Sequence, residues 1–145
     1  VGTSRERAVA FLWDLENLPK FEPKVAQVRQ LGGGTGYAAV GTFAGLEWRG
    51  TFDCVRSAAG FRTRAQQLPW GLQVDGAYVV RTDTDASCWV THHEIYTFPI
   101  GLRPLAPLLV SYLSGSMREA LEDLRYALHL ADGAVPALAR PSLWE

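Results

Sequence analysis

The sequence predicts an α+β domain in which a curved antiparallel sheet wraps one long C-terminal helix and leaves an apolar cavity between them. Three observations carry this expectation. The hydrophobic period changes from 3.6 to 2 near residue 24, stays at 2 as far as Phe98, and returns to 3.6 for one long stripe after Pro99. A chain of 145 residues is the common size of one domain, so residues 1–131 are expected to form it and residues 132–145 a flexible tail.

Thr3 and Glu6 have capping-box spacing ahead of Val9, Phe11, Leu12 and Leu15, which predicts a short helix over Ser4–Trp13. A second short helix, Leu15–Lys20, is punctuated by Pro19 and Pro23, with Asp14 and Glu16 as its caps. Six strands are then expected: Val25–Leu31, Tyr37–Phe43, Leu46–Arg56, Phe61–Gln67, Tyr78–Thr82 and Cys88–Phe98. The alternation is clearest in the third, where Leu46, Trp48, Gly50, Phe52 and Cys54 share one face. The short loops between them imply antiparallel pairing. The run GGGTG lies between two strand patterns and lacks the Lys and helix of a phosphate loop, so it reads as a hairpin turn.

From Leu105 to Leu130 the stripe includes Leu108, Leu109, Tyr112, Leu113, Met117, Leu121, Leu124 and Leu128. An α-helix of that extent rises roughly 39 Å, longer than any of these strands, so the sheet must curve to grip it. Ser114, Gly115 and Ser116 place small residues mid-helix, which predicts room for a ligand, a bend, or a place where the sheet approaches closely.

Composition narrows the function. With 48% hydrophobic and 20% charged residues and a net charge of -1, the chain is an ordinary globular one. Basic residues form no stripe, so nucleic acid is not an expected partner. No run is long enough for stable membrane insertion, no leader-like segment opens the chain, and Cys54 and Cys88 show no disulfide or zinc spacing, so a cytoplasmic location with reduced thiols is expected.

The order of these pieces resembles the START-like, Bet v 1-like superfamily, in particular its polyketide cyclase/dehydrase and lipid-transport group. The resemblance rests on TSRERAVAFLWDLENLPKF at residues 3–21, THHEIYTFP at 91–99 and SMREALEDLRYAL at 116–128. It implies a helix-grip fold of seven strands with a hydrophobic cavity, no bound cofactor, and a small hydrophobic molecule as partner. The superfamily's first strand precedes the first helix, whereas here Val1 and Gly2 alone stand before Thr3. That strand is expected to be truncated, or the sheet edge short.

On a strand, His92 and Glu94 share a face with Val90, Tyr96 and Phe98. A His beside a carboxylate in an apolar wall is a candidate general acid/base pair, and equally a hydrogen-bonded polar couple with no chemistry. A metal is not expected, because His92 and Glu94 need a third ligand and Cys88 and His129 have nothing to bring them near. The predicted ligand wall is Trp48, Phe52, Phe61, Tyr78, Val90 and Tyr96 from the sheet with Leu109, Tyr112, Leu113 and Met117 from the helix. Three functions fit: a carrier or sensor of a lipid, quinone or polyketide-like aromatic; a cyclase/dehydratase-type enzyme using His92 and Glu94; or a protein-interaction module.

Overall fold

A computed structural model describes residues 1–66 and 68–131. Helix α1 spans Arg5–Trp13 and is capped one residue later than the sequence suggests, by Ser4, whose Oγ accepts from Arg7 N at 3.4 Å. Thr3 is instead buried, with no hydrogen-bond partner for its Oγ1 among the described residues. The second helix, Leu15–Lys20, is a 3-10 helix capped by Asp14, which accepts from Glu16 N.

The six strands are β1 Gln27–Gln30, β2 Gly36–Phe43, β3 Leu46–Ser57, β4 Gly60–Ala65, β5 Gln73–Thr84 and β6 Ser87–Thr97. They form one sheet in sequence order, each pair antiparallel, as short hairpin connections require. GGGTG makes the β1–β2 turn, with Gly32 at φ 60°. Val1 exchanges both backbone hydrogen bonds with Cys88, a strand-like contact at one end of β6. Strand β5 is twice the expected length, because Asp75 and Gly76 hide its alternation. A 3-10 turn, Pro69–Gly71, precedes it.

Helix α2 covers Ala106–Ala131 after a 3-10 segment at Ile100–Leu105. It runs unbroken through Ser114–Ser116; Gly115 is exposed, and Ser114 Oγ bonds back to Val110 O. The stripe is buried only from Leu113 onward: Leu113, Ser116, Ala120, Leu124 and Leu128 are buried, whereas Leu108 and Tyr112, and Leu105 just before the helix, are exposed.

The core fills the end of the sheet nearest α1. Leu12, Leu15, Leu18 and Phe21 pack there with Cys54, Phe61, Tyr78, Val80 and Cys88 from the sheet and Leu124 and Leu128 from α2. Each such side chain contributes about 1.5–3 kcal/mol by leaving water. Both thiols sit in this core, and burial raises their pKa above the ordinary value. An aromatic disulfide reagent is therefore expected to label neither cysteine in the folded protein and both after denaturation. Fast labelling of the native state would contradict this packing. Because the core occupies one end, the remainder of the concave face is left open.

Candidate functional site: a polar cluster in an apolar cavity

Antiparallel register assembles the site by stacking rows across the sheet. Phe61, Tyr78 and His92 are direct cross-strand partners, then Cys54, Thr63, Gly76 and Glu94, then Phe52, Ala65, Val74 and Tyr96. Period 2 turns all of these toward the concave face, which is why His92 is buried while His93 is exposed. Where the core stops, they line a half-open cavity of about 150 Å3 whose surface is mostly carbon.

Five of the sequence-predicted wall residues, Trp48, Phe52, Phe61, Tyr78 and Tyr96, line this cavity, as do His92 and Glu94. Val90 packs against the core instead. The helix residues Leu109, Tyr112, Leu113 and Met117 are absent from the wall. Leu113 is buried, and Tyr112 contacts the β2–β3 hairpin through Phe43 and the Ala44 amide. The remaining lining comes from Leu18, Glu22, Lys24 and Val25 on one segment and from Leu68, Pro69 and the half-exposed Trp70 on another.

Glu22 and Lys24 are the residues sequence reasoning missed. They flank Pro23 between the 3-10 helix and β1, where no periodicity marks a face. Lys24 Nζ lies 3.1 Å from both Glu94 oxygens, 3.1 Å from Tyr96 Oη and 3.4 Å from Glu22 Oε1. Tyr96 donates its hydroxyl to Glu94 Oε2, Tyr78 donates to Glu22 Oε2 at 3.2 Å, and His92 Nε2 stands 3.3 Å from Glu94 Oε1. The His92 ring stacks on Tyr78 with centroids 4.0 Å apart. Among the described residues, Glu22 Oε1 and His92 Nδ1 are buried without a hydrogen bond.

The backbone of Lys24 is clamped as well. Its carbonyl accepts from Trp48 Nε1 at 2.9 Å, and it lies so close to β2 that a Cβ on Gly41 would fall 1.8 Å from the carbonyl oxygen. Glycine at position 41 and tryptophan at 48, register partners on β2 and β3, thus set where the ammonium sits.

Ligand atoms of Glu22, His92 and Glu94 all lie within 4.8 Å of one another, so the third donor lacking in the sequence reading exists and is Glu22, neither Cys88 nor His129. Lys24 already holds a positive charge between both carboxylates, where a metal ion would have to sit. The donor set therefore fits an internal cation better than a metal.

The two carboxylates are pushed apart in acidity. Burial would raise Glu94, but its contact with His92 and the Lys24 ammonium outweigh burial and hold it at about 2. Burial raises Glu22, and the neighbouring Glu94 charge adds to this against the pull of Lys24. Tyr78 and Tyr96 are pushed well up, first by burial and then by the adjacent carboxylates, so both remain donors. Linkage gives the sign of the pH dependence. Glu94, depressed below its ordinary 4.5, contributes stability that is present above 4.5 and is lost as pH falls toward 2. Glu22, raised above 4.5, contributes in the opposite sense, lost as pH rises through its folded value. Stability is expected to peak in mild acid, and Glu22→Gln to flatten the limb above the peak in urea titrations at several pH values. An unchanged upper limb in that variant would assign it to another group.

A curved antiparallel sheet and a long C-terminal helix define a helix-grip fold of the START-like kind. Solved structures bear out the fold. The chain is similar to TTHA0849 from Thermus thermophilus, with TM-score 0.71 and 18% identity over 90% of this chain and 93% of that one. It is similar to a START superfamily protein from Mycobacterium smegmatis, with TM-score 0.61 and 16% identity over 84% and 89%. It also matches about half, 49%, of the di-domain ARO/CYC StfQ from the steffimycin biosynthetic pathway, with TM-score 0.65 and 15% identity over 92% of this chain. No family model matches the sequence, and no curated protein sequence does. Among the described residues no helix is long and apolar enough to cross a membrane.

Proposed function

We propose that the protein binds a small, largely apolar molecule in this cavity, as carrier or sensor, and orients it by one oxygen-bearing group directed at the polar cluster of Glu22 and His92. The observation that supports this is the cavity itself: carbon-lined walls with a single charged cluster on one of them. The three N–H donors of Lys24 are met by both Glu94 oxygens and Tyr96 Oη at 3.1 Å, whereas Glu22 Oε1 and His92 Nδ1, on two residues that line the cavity, have no hydrogen-bond partner among the described residues. A ligand hydroxyl fits those open positions. Glu22 and Glu94 stand beside those positions and repel a further anion, which favours an uncharged hydroxyl or carbonyl over a carboxylate. Size is a further restriction, because a dry apolar cavity of about 150 Å3 holds a benzene-sized body. One ring fits inside; a long acyl chain does not.

Calorimetric titration with phenol tests the reading. Binding with a negative heat-capacity change is expected, since apolar surface leaves water. No heat from phenol, together with no apolar molecule co-purifying in native mass spectrometry, would end the proposal.

A second reading is supported by His92. It lines the cavity, and its Nε2 lies beside Glu94 Oε1, an arrangement in which a carboxylate orients an imidazole as general base. The ARO/CYC likeness points the same way. Under this reading the protein turns over a poly-β-ketone, and His92→Gln abolishes turnover while leaving phenol binding within about twofold, as expected for a proton-transfer group. Turnover that persists in His92→Gln would remove the imidazole from the chemistry.

A further inference from the structure

Trp70 stands at the mouth of the cavity in a backbone conformation that its side chain disfavours. It lies inside the 3-10 turn between β4 and β5 with φ 62° and ψ 16°, and Gly71 follows at φ 73°. Glycine or asparagine accepts the left-handed region readily; a bulky aromatic there is a genuine outlier, and such outliers cluster at ligand-contacting sites. The packing around it does not account for the choice. Trp70 is 53% exposed, lies outside the core cluster, and makes no hydrogen bond among the described residues. What the conformation does achieve is placement, because the indole lines the cavity while part of it remains in solvent.

The cavity volume supplies the complementary observation. About 150 Å3 accommodates one ring, so any larger ligand must extend through the open mouth, where Leu68, Pro69 and Trp70 form the rim. We propose that Trp70 is the outer specificity wall of the site, its indole stacking on a second ring of the ligand, so that the preferred ligand is a flat molecule of more than one fused or linked ring. This rests on the ligand-binding reading above. An indole is suited to the task because it offers a wide, rigid surface with only two side-chain torsions to immobilise.

The test compares phenol with 2-naphthol by calorimetry in the wild-type protein and in Trp70→Gly, which relieves the left-handed backbone. The wild type is expected to bind 2-naphthol about tenfold more tightly than phenol, and in Trp70→Gly the ratio of the two affinities is expected to fall to about twofold or less. Trp70→Asn, a second residue that accepts this backbone, should repeat the pattern, and Trp70→Phe should keep most of the 2-naphthol affinity. If both ligands weaken together in the Gly and Asn variants, Trp70 has a structural role and the proposal is overturned. It is also overturned if 2-naphthol binds those variants as well as the wild type. If phenol fails to bind the wild type, the ligand-binding reading falls and this inference with it.

Discussion

Gly41→Ala is expected to destabilise the protein by about 3 kcal/mol or more, the high end for an over-packed interior position. The added Cβ would meet the Lys24 carbonyl oxygen at 1.8 Å and its carbon at 2.8 Å, and these are backbone atoms that cannot rotate away. Relief requires moving residues 22–25 off β2, which would also strip Lys24 O from Trp48 Nε1. The variant that does fold should therefore have lost phenol binding together with stability. Urea unfolding checks the first effect and calorimetry the second. A variant with wild-type stability would mean that the approach of Lys24 to β2 is far looser than the structure has it.

Lys24→Met is expected to cost about 3–5 kcal/mol at neutral pH, the range for removing one partner from a buried ionic group. Its side chain is 12% exposed, and the carboxylates it serves, Glu22 and Glu94, are 6% and 8% exposed. Without the ammonium, two acidic groups face each other in an apolar wall. The carboxylates must then take up a proton to stay buried. The sign of the acid response should reverse as a result: in the wild type Glu94 makes stability fall from pH 4.5 toward 2, whereas in Lys24→Met acidification over the same range should restore it. Glu94→Gln added to Lys24→Met should recover part of the loss. A single-variant loss under about 1 kcal/mol would instead be the behaviour of a solvated surface pair.

Much of the fold was legible because it is written in periodicity. The alternation in Leu46–Arg56 and the pattern around His92 place side chains on the correct faces, and both survive in β3 and β6. Where local chemistry interrupts the period, legibility drops. Asp75 and Gly76 hid the first half of β5, and Gly76 is there because a Cβ would crowd Thr63 Oγ1 at 2.8 Å. The α2 stripe was read as gripped along its whole length, yet an amphipathic pattern reports only that a face is apolar. It does not say how far a partner surface extends, and in this protein the stripe is buried only from Leu113 onward. The expected tail, residues 132–145, lies outside the described residues.

The site divides along the same line. His92, Glu94 and Tyr96 were found because they occur on one face of one strand, a relation the sequence displays directly. Glu22 and Lys24 were not, because their partners lie 56 to 72 positions away and the segment carrying them has no regular period.

By itself, then, the sequence determined the class of architecture, the order of its elements and which residues of each strand face inward, since these follow from local periods and turn chemistry. Tertiary structure alone decided that no described residue of the long helix lines the cavity, that Lys24 stands between Glu22 and Glu94, and that Trp70 joins the cavity wall. Those outcomes depend on strand register, on the curvature of the sheet and on a close backbone approach at Gly41. Such relations exist only between residues distant in the chain, where charge, volume and hydrogen-bond reach are settled in space.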